Sequence, residues 1–148
     1  MIDVSGHTLG HIAFIFDEAL AAFTADSLMA WGCGRVFEGT MAQQWNSLKK
    51  FHTLPRAMTI YSGHEYTTSN GKFAMTIEPD NESYIARMKA TEDARAKGEP
   101  TVPSNLGLEL ATNPFLRANH PKVKAALGME DASDAEVFAE IRTRKDNF

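Results

Sequence analysis

The pattern of apolar residues changes period near residue 65, and that change limits what this chain can fold into. Before it, apolar residues come in short runs. Ile12 to Phe16 is apolar throughout, Leu20 to Thr24 follows an acidic turn at Asp17-Glu18, and Met58 to Tyr61 is a third. Such runs, bounded by turn residues, read as buried strands. Gly32, Gly34 and Gly39 punctuate a loop between the second and third runs, and Thr40 with Gln43 makes a capping box that opens a helix to about Phe51. After Tyr66 the pattern is helical: Thr67 to Ile77, then Asn81 to about Lys97 with Gly98 as its C-cap. Residues 98–112, rich in Pro, Gly, Ser, Thr and Asn, read as a loop. Two further helices follow, His120 to Leu127 stopped by Gly128, and one opened by a Ser133–Glu136 capping box that runs through Ile141, Arg142 and Lys145. The expectation is an α+β chain with a β-rich region at 1–65 and a helical region at 66–148.

At 148 residues and 43% hydrophobic, the chain suits one domain or two small lobes that share a core. Its 15 basic against 19 acidic residues give no positive field to draw it onto nucleic acid or an anionic membrane. No apolar run approaches the roughly 20 residues of a membrane span, and no basic-then-apolar leader is visible. The one cysteine, Cys33, forms no internal disulfide, which fits a reducing compartment, and the expected location is the cytoplasm. Two or three strands and one helix would bury only one face of a sheet, so the first region should need a cover.

Three side chains of types that can ligate metals fall just past three strand ends. His7 lies in Gly6-His7-Thr8-Leu9-Gly10-His11, where glycines allow the tight turn that projects an imidazole. Asp26 follows the second run, and His64 follows the third in Ser62-Gly63-His64-Glu65-Tyr66. Each has a plainer reading, a loop hydrogen bond for the histidines and a turn or capping bond for the aspartate. Their convergence is more specific than any one alone, though it lacks the tight spacing of a HExxH helix.

Six segments resemble glyoxalase II, the hydroxyacylglutathione hydrolases of the metallo-β-lactamase superfamily, in the same order. They are Gly6 to His11, Ala25-Asp26-Ser27-Leu28, Gly32 to Thr40, Gly63-His64-Glu65-Tyr66-Thr67, Glu78-Pro79-Asp80-Asn81 and Gly98 to Ser104. The resemblance implies the C-terminal half of an αββα sandwich at 1–65 and an all-helical glutathione-binding domain at 66–148. It implies that His7 ligates one metal, His64 the other, and that Asp26 bridges both as the catalytic carboxylate, with His11 structural. Two divalent cations, zinc or else iron or manganese, would activate a hydroxide that attacks an S-D-lactoylglutathione-type thioester, releasing glutathione and a 2-hydroxy acid. Arg35, Phe37 and Tyr66 would contact substrate, and Arg142 with Lys145, three apart on one helix face, would receive its glycyl carboxylate. Phe37 stands where the family commonly has tyrosine, so one hydroxyl is absent.

Two departures qualify this. The family's THxHxDH motif is not in the sequence, so the expectation is an incomplete site that holds metal weakly. A complementary N-terminal segment would activate it; the alternative is a non-catalytic remnant or a self-associating glutathione-binding module. Ala25 also stands where the family usually has glycine, and would be strained there by about 1 kcal/mol if the backbone needs positive φ.

Overall fold

In the computed structural model, which describes residues 1–148, the three apolar runs form β2 (Ile12–Phe16), β3 (Ala21–Ala25) and β6 (Thr59–Ser62). Edge strands β1 (Ile2–Asp3) and β7 (Ser104–Asn105) complete a five-stranded sheet in the order β1-β2-β3-β6-β7. Only β3 and β6 run parallel. A parallel pair needs a long crossover. Here it contains the hairpin β4 (Leu28–Met29) and β5 (Gly32–Cys33), the helix α1 (Met41–Leu48) and a 3-10 turn over Lys49–Thr53. The Thr40–Gln43 capping box forms as expected, but the α-helix stops at Leu48 and the 3-10 turn continues past Phe51.

The helical region contains α2 (Thr67–Ile77), α3 (Glu82–Ala96), α4 (Leu106–Thr112), α5 (Pro121–Leu127) and α6 (Asp134–Asp146). Their caps are the ones legible in sequence: Asn81 on α3, His120 and Gly128 on α5, and the Ser133–Glu136 box on α6. Residues 98–112 are not loop throughout. Ser104 and Asn105 pair with Ile60 and Thr59, and the Asn105 side chain caps α4 by accepting from Leu108 N at 3.1 Å. An asparagine that resembles a turn residue is here a helix N-cap. The chain is thus α+β, and one core crosses residue 65: Ala13, Ala22 and Ile60 of the sheet pack with Trp45 and Leu48 of α1, Phe73 of α2, and Phe138 and Ile141 of α6.

The apolar strands are not buried on both faces. In β2 only Ala13 is fully buried, while Ile12, Phe14 and Phe16 are exposed, as are Phe23 and Tyr61 on the neighbouring strands. Successive side chains of a strand point to opposite faces, and the helices cover one face only.

The hairpin is held by the helices through a buried polar network. Glu109 of α4, fully buried, accepts from Trp31 N at 2.8 Å and Asn113 Nδ2 at 3.1 Å and pairs with Arg87 of α3. Asn113 Nδ2 also reaches Gly32 O at 3.0 Å, Asn70 Nδ2 donates to Ala30 O at 3.0 Å, and the Arg87 guanidinium lies 4.8 Å from the Trp31 ring centre. With these bonds Trp31 holds a left-handed backbone, φ 61°.

Candidate functional site

His7, Asp26 and His64 meet around the Asp26 carboxylate. His7 Nε2 lies 3.6 Å from Oδ2 and His64 Nε2 lies 3.4 Å from Oδ1, so each imidazole faces a different oxygen. The backbone enforces this. Ala25, at φ 45°, turns the chain sharply at the end of β3, a left-handed conformation that costs a residue with a Cβ about 1–2 kcal/mol. Gly63 follows β6, where any Cβ would stand 2.6 Å from Asp26 Oδ1; at Gly34 a Cβ would stand 2.9 Å from His7 Nδ1. Side chains at either position would invade the space the three groups share.

Hydrogen bonds fix the two loop histidines. His11 Nε2 accepts from Asp26 N at 3.2 Å, and its Nδ1 lies 3.2 Å from Thr8 Oγ1. Burial, reinforced by His7 nearby, lowers the His11 pKa and favours the neutral ring that this acceptor role requires. His11 is therefore a support for the Asp26 backbone. His7 Nδ1 lies 2.7 Å from Arg35 O, a carbonyl that only accepts, so Nδ1 carries the hydrogen. In the neutral ring, Nε2 then turns a lone pair toward a carboxylate oxygen. Asp26 Oδ1, itself buried, accepts no hydrogen bond. Acceptors facing acceptors is an arrangement that a cation relieves.

The spacing suits one. Nitrogen and oxygen ligands about 2.0–2.2 Å from a shared tetrahedral cation are about 3.3–3.6 Å from each other. The two observed separations, 3.6 and 3.4 Å, fall in that range. His7 with Asp26 and His64 with Asp26 would each give a cation two donors, short of the three or four that enclose one. No cluster of three or more His, Cys, Asp or Glu side chains forms a closed cage in the molecule.

The three groups form one end of a cavity of about 640 Å³ that also brings in Arg35, Phe37, Tyr66, Arg142 and Lys145. All eight residues singled out from sequence thus line one concavity. Their states differ. The Tyr66 ring stacks on His64 at 5.0 Å, and the exposed Phe37 ring packs against His7 at 5.1 Å. Arg35 is an open cation, its side chain 61% exposed and 3.5 Å from Asp146.

The basic pair on α6 divides its work. Arg142 is buried, with Nη1 donating to Cys33 O at 2.9 Å and Nη2 to Asp146 Oδ1 at 2.9 Å, and it lies over the Phe115 ring. Lys145 has one long bond, to Ser69 O at 3.4 Å, and its ammonium sits 5.4 and 5.1 Å from the ring centres of Phe73 and Phe148. Burial and the charges of Arg142 and Arg35 lower its pKa. Lys145 is thus the cation with capacity to spare. Cys33 lies behind Arg142, and burial raises its thiol pKa to about 11, so it is no nucleophile.

Sequence reading missed Asp146, Phe148 and Ser69, which also line the cavity. The spacing of Asp146 from Arg142, one helical turn, was the signal for the first. A larger concavity of about 970 Å³ near Glu78, Asp80 and Arg117 contains none of the metal candidates, and its Glu78–Arg117 pair, 3.2 Å apart, is already matched.

Comparison with known proteins decides the family. Residues 65–148, more than half the chain, match the family described as hydroxyacylglutathione hydrolase C-terminus. The chain belongs to the hydroxyacylglutathione hydrolase family. It is 59% identical over 148 residues to the hydroxyacylglutathione hydrolase of Roseobacter denitrificans and 60% identical over 148 residues to that of Jannaschia sp.. In each case the whole of this chain spans 58% of the relative's length. In fold it is similar to ETHE1 from Myxococcus xanthus, with TM-score 0.53 at 23% identity over 93% of this chain and 41% of that one. A metallo-beta-lactamase from Staphylococcus aureus gives TM-score 0.52 at 20% identity over 95% of this chain and 36% of the other. The family resemblance seen in the motifs is therefore correct, and so is the α+β fold of metallo-β-lactamase type, of which this chain spans a C-terminal portion.

Proposed function

We propose that the chain is the part of a glyoxalase II that supplies one ligand to each of two divalent cations, the carboxylate between them, and the glutathione site. In this reading residues 1–65 carry the metal-facing groups and residues 66–148 hold glutathione. The observation that supports it most is the pairing of His7 and His64 with opposite oxygens of Asp26, at the end of a cavity lined by Lys145. When bound, the cations, zinc, iron or manganese, polarise a thioester carbonyl and acidify water.

The protein's own groups orient the reaction. Asp26, its backbone fixed by His11, would be a ligand to both cations. Arg35 O fixes the His7 tautomer, and Tyr66 braces His64. Lys145 receives the glycyl carboxylate of the substrate, while Arg142 supports it by fixing Asp146 and the Cys33 carbonyl. Phe37 shields the His7 ring from water without offering a hydroxyl. Hydrolysis of S-D-lactoylglutathione would yield glutathione and D-lactate. No helix is long and apolar enough to cross a membrane, and buried, unpaired Cys33 fits the cytoplasm as the site of action.

Two donors per cation favour a second reading in which the chain alone binds glutathione without catalysis. The experiment that separates them adds zinc and S-D-lactoylglutathione to the chain, with and without the N-terminal portion of a longer relative. Turnover should need that portion and should disappear in Asp26→Asn. Lys145→Met should weaken glutathione binding by roughly 10-fold or more, read from amide shifts of α6. Binding without turnover in the reconstituted mixture would leave the non-catalytic reading.

A further inference from the structure

The three metal-facing groups are held in different ways. His7 is fixed through its own ring, at Arg35 O, and Asp26 through its backbone, at His11. The bonds of His64 are of another kind. Its side chain is 49% exposed, its ring stacks on Tyr66, and the hydrogen bond it receives, from Ser62 Oγ at 3.3 Å, falls on its backbone carbonyl. The direction of this imidazole therefore depends on how the segment from Ser62 to Tyr66 is tied down.

That segment is pinned on both sides of His64. Before it, Gly63 N donates to Ala25 O at 2.9 Å, at the end of β3. After it, Glu65 reaches the connection between α3 and β7, 36 positions away, where its Oε1 accepts from Thr101 N at 2.7 Å and Thr101 Oγ1 at 2.8 Å. Arg95, in the last turn of α3, donates to the same oxygen at 3.2 Å. The Thr101 pair matters more. Hydrogen bonds to a carboxylate are roughly twice as strong as neutral ones, whereas Glu65 and Arg95, 35 and 43% exposed, form an ion pair that water and salt screen. Thr101 is itself anchored three residues on, where Ser104 pairs with Ile60 of β6. Strand β6, the His64 segment, Glu65, Thr101 and β7 thus close a ring, from which His64 projects toward Asp26. The planar peptide between His64 and Glu65 leaves few torsions between the anchored carboxylate and the imidazole.

We propose that Glu65 is a positioning residue: anchored on Thr101, it aims the His64 imidazole at Asp26 Oδ1. The helical region then does more than hold glutathione, because its 97–103 connection orders a ligand of the second cation. The metal part of this inference rests on the two-cation reading; the aim of His64 does not.

Nuclear magnetic resonance of the histidine rings in the whole chain tests both. Without metal, Glu65→Ala should lose the nuclear Overhauser contacts between the His64 and Tyr66 rings and narrow the His64 ring signals, while His7 keeps its contacts with Phe37. Glu65→Gln, which keeps an Oε1 acceptor for Thr101, should retain the parent pattern, and Thr101→Val should fall between. Added zinc should bind the His64 ring of Glu65→Ala roughly 10- to 100-fold more weakly than that of the parent, with the His7 midpoint unchanged. A His64 ring as ordered in Glu65→Ala as in the parent overturns the proposal. So does a loosening of His7 together with His64, or an effect of Glu65→Gln as large as that of Glu65→Ala, since either marks general support of the fold. Should Glu65→Ala unfold, Thr101→Val decides by the same signals. Zinc that moves neither ring of the parent sinks the two-cation reading alone, and the metal-free rings still decide the aim of His64.

Discussion

The region before residue 65 and the region after it treat buried charge in opposite ways. In the first, Asp26 Oδ1 is buried without a hydrogen bond, Ala25 is held at φ 45°, and large aromatic rings face outward. In the second, buried charge is matched: Glu109 with Arg87, Trp31 N and Asn113, and Glu78 with Arg117. The unpaired carboxylate oxygen lies at the cavity, and the paired charges lie where the helices hold the hairpin. The helices therefore act as the frame, and the sheet's loops as the instrument.

Four changes would break or sharpen that contrast. The largest effect should come from the frame. Glu109→Ala strands a buried Arg87 guanidinium and should cost about 3–5 kcal/mol in chemical denaturation, releasing the 28–33 hairpin. If it costs no more than a surface change, the frame reading fails. Next, Gly63→Ala should lower zinc affinity roughly 10- to 100-fold by displacing the Asp26 carboxylate, with little change in stability. An equal loss of stability and affinity would erase the division between the regions. Ala25→Gly should raise stability by up to about 1 kcal/mol through relief of its left-handed backbone, measured by thermal denaturation.

The smallest effect concerns acid. Hydrogen bonds from Ser5 N and Ser5 Oγ lower the Asp3 pKa below 3.8, with Lys50 adding to them. A depressed carboxylate stabilises above its ordinary pKa, and that support is lost as pH falls through the folded value. Amide exchange at Ser5 should therefore quicken below pH 3.8, while that at the Glu109 partners stays slow.

Much of the frame and most of the site were legible in the residues. Capping boxes at Thr40 and Ser133, Asn81 before α3 and Gly128 after α5 report backbone groups that need partners, a local demand visible in sequence. His7, Asp26 and His64 were legible because loops at strand ends project side chains to one sheet edge. What was hidden depended on distant partners. Glu109 resembles a solvated helix residue until Arg87 and Trp31 arrive, 22 and 78 positions away. Arg142 resembles a free cation, yet its guanidinium is taken by Cys33 O and Asp146. The hairpin at 28–33 and α4 are too short for periodicity to register.

The bond from Arg142 to Cys33 spans 109 residues and has a kinetic meaning. Closing a loop of that length costs on the order of 4 kcal/mol of chain entropy, offset only once α6 docks on α1 and the core closes. Lys145 rides on that helix. Ligand competence should thus arrive as a late event in refolding, after most helical signal has returned, because the cavity wall that carries the cation is assembled by the slowest search in the chain.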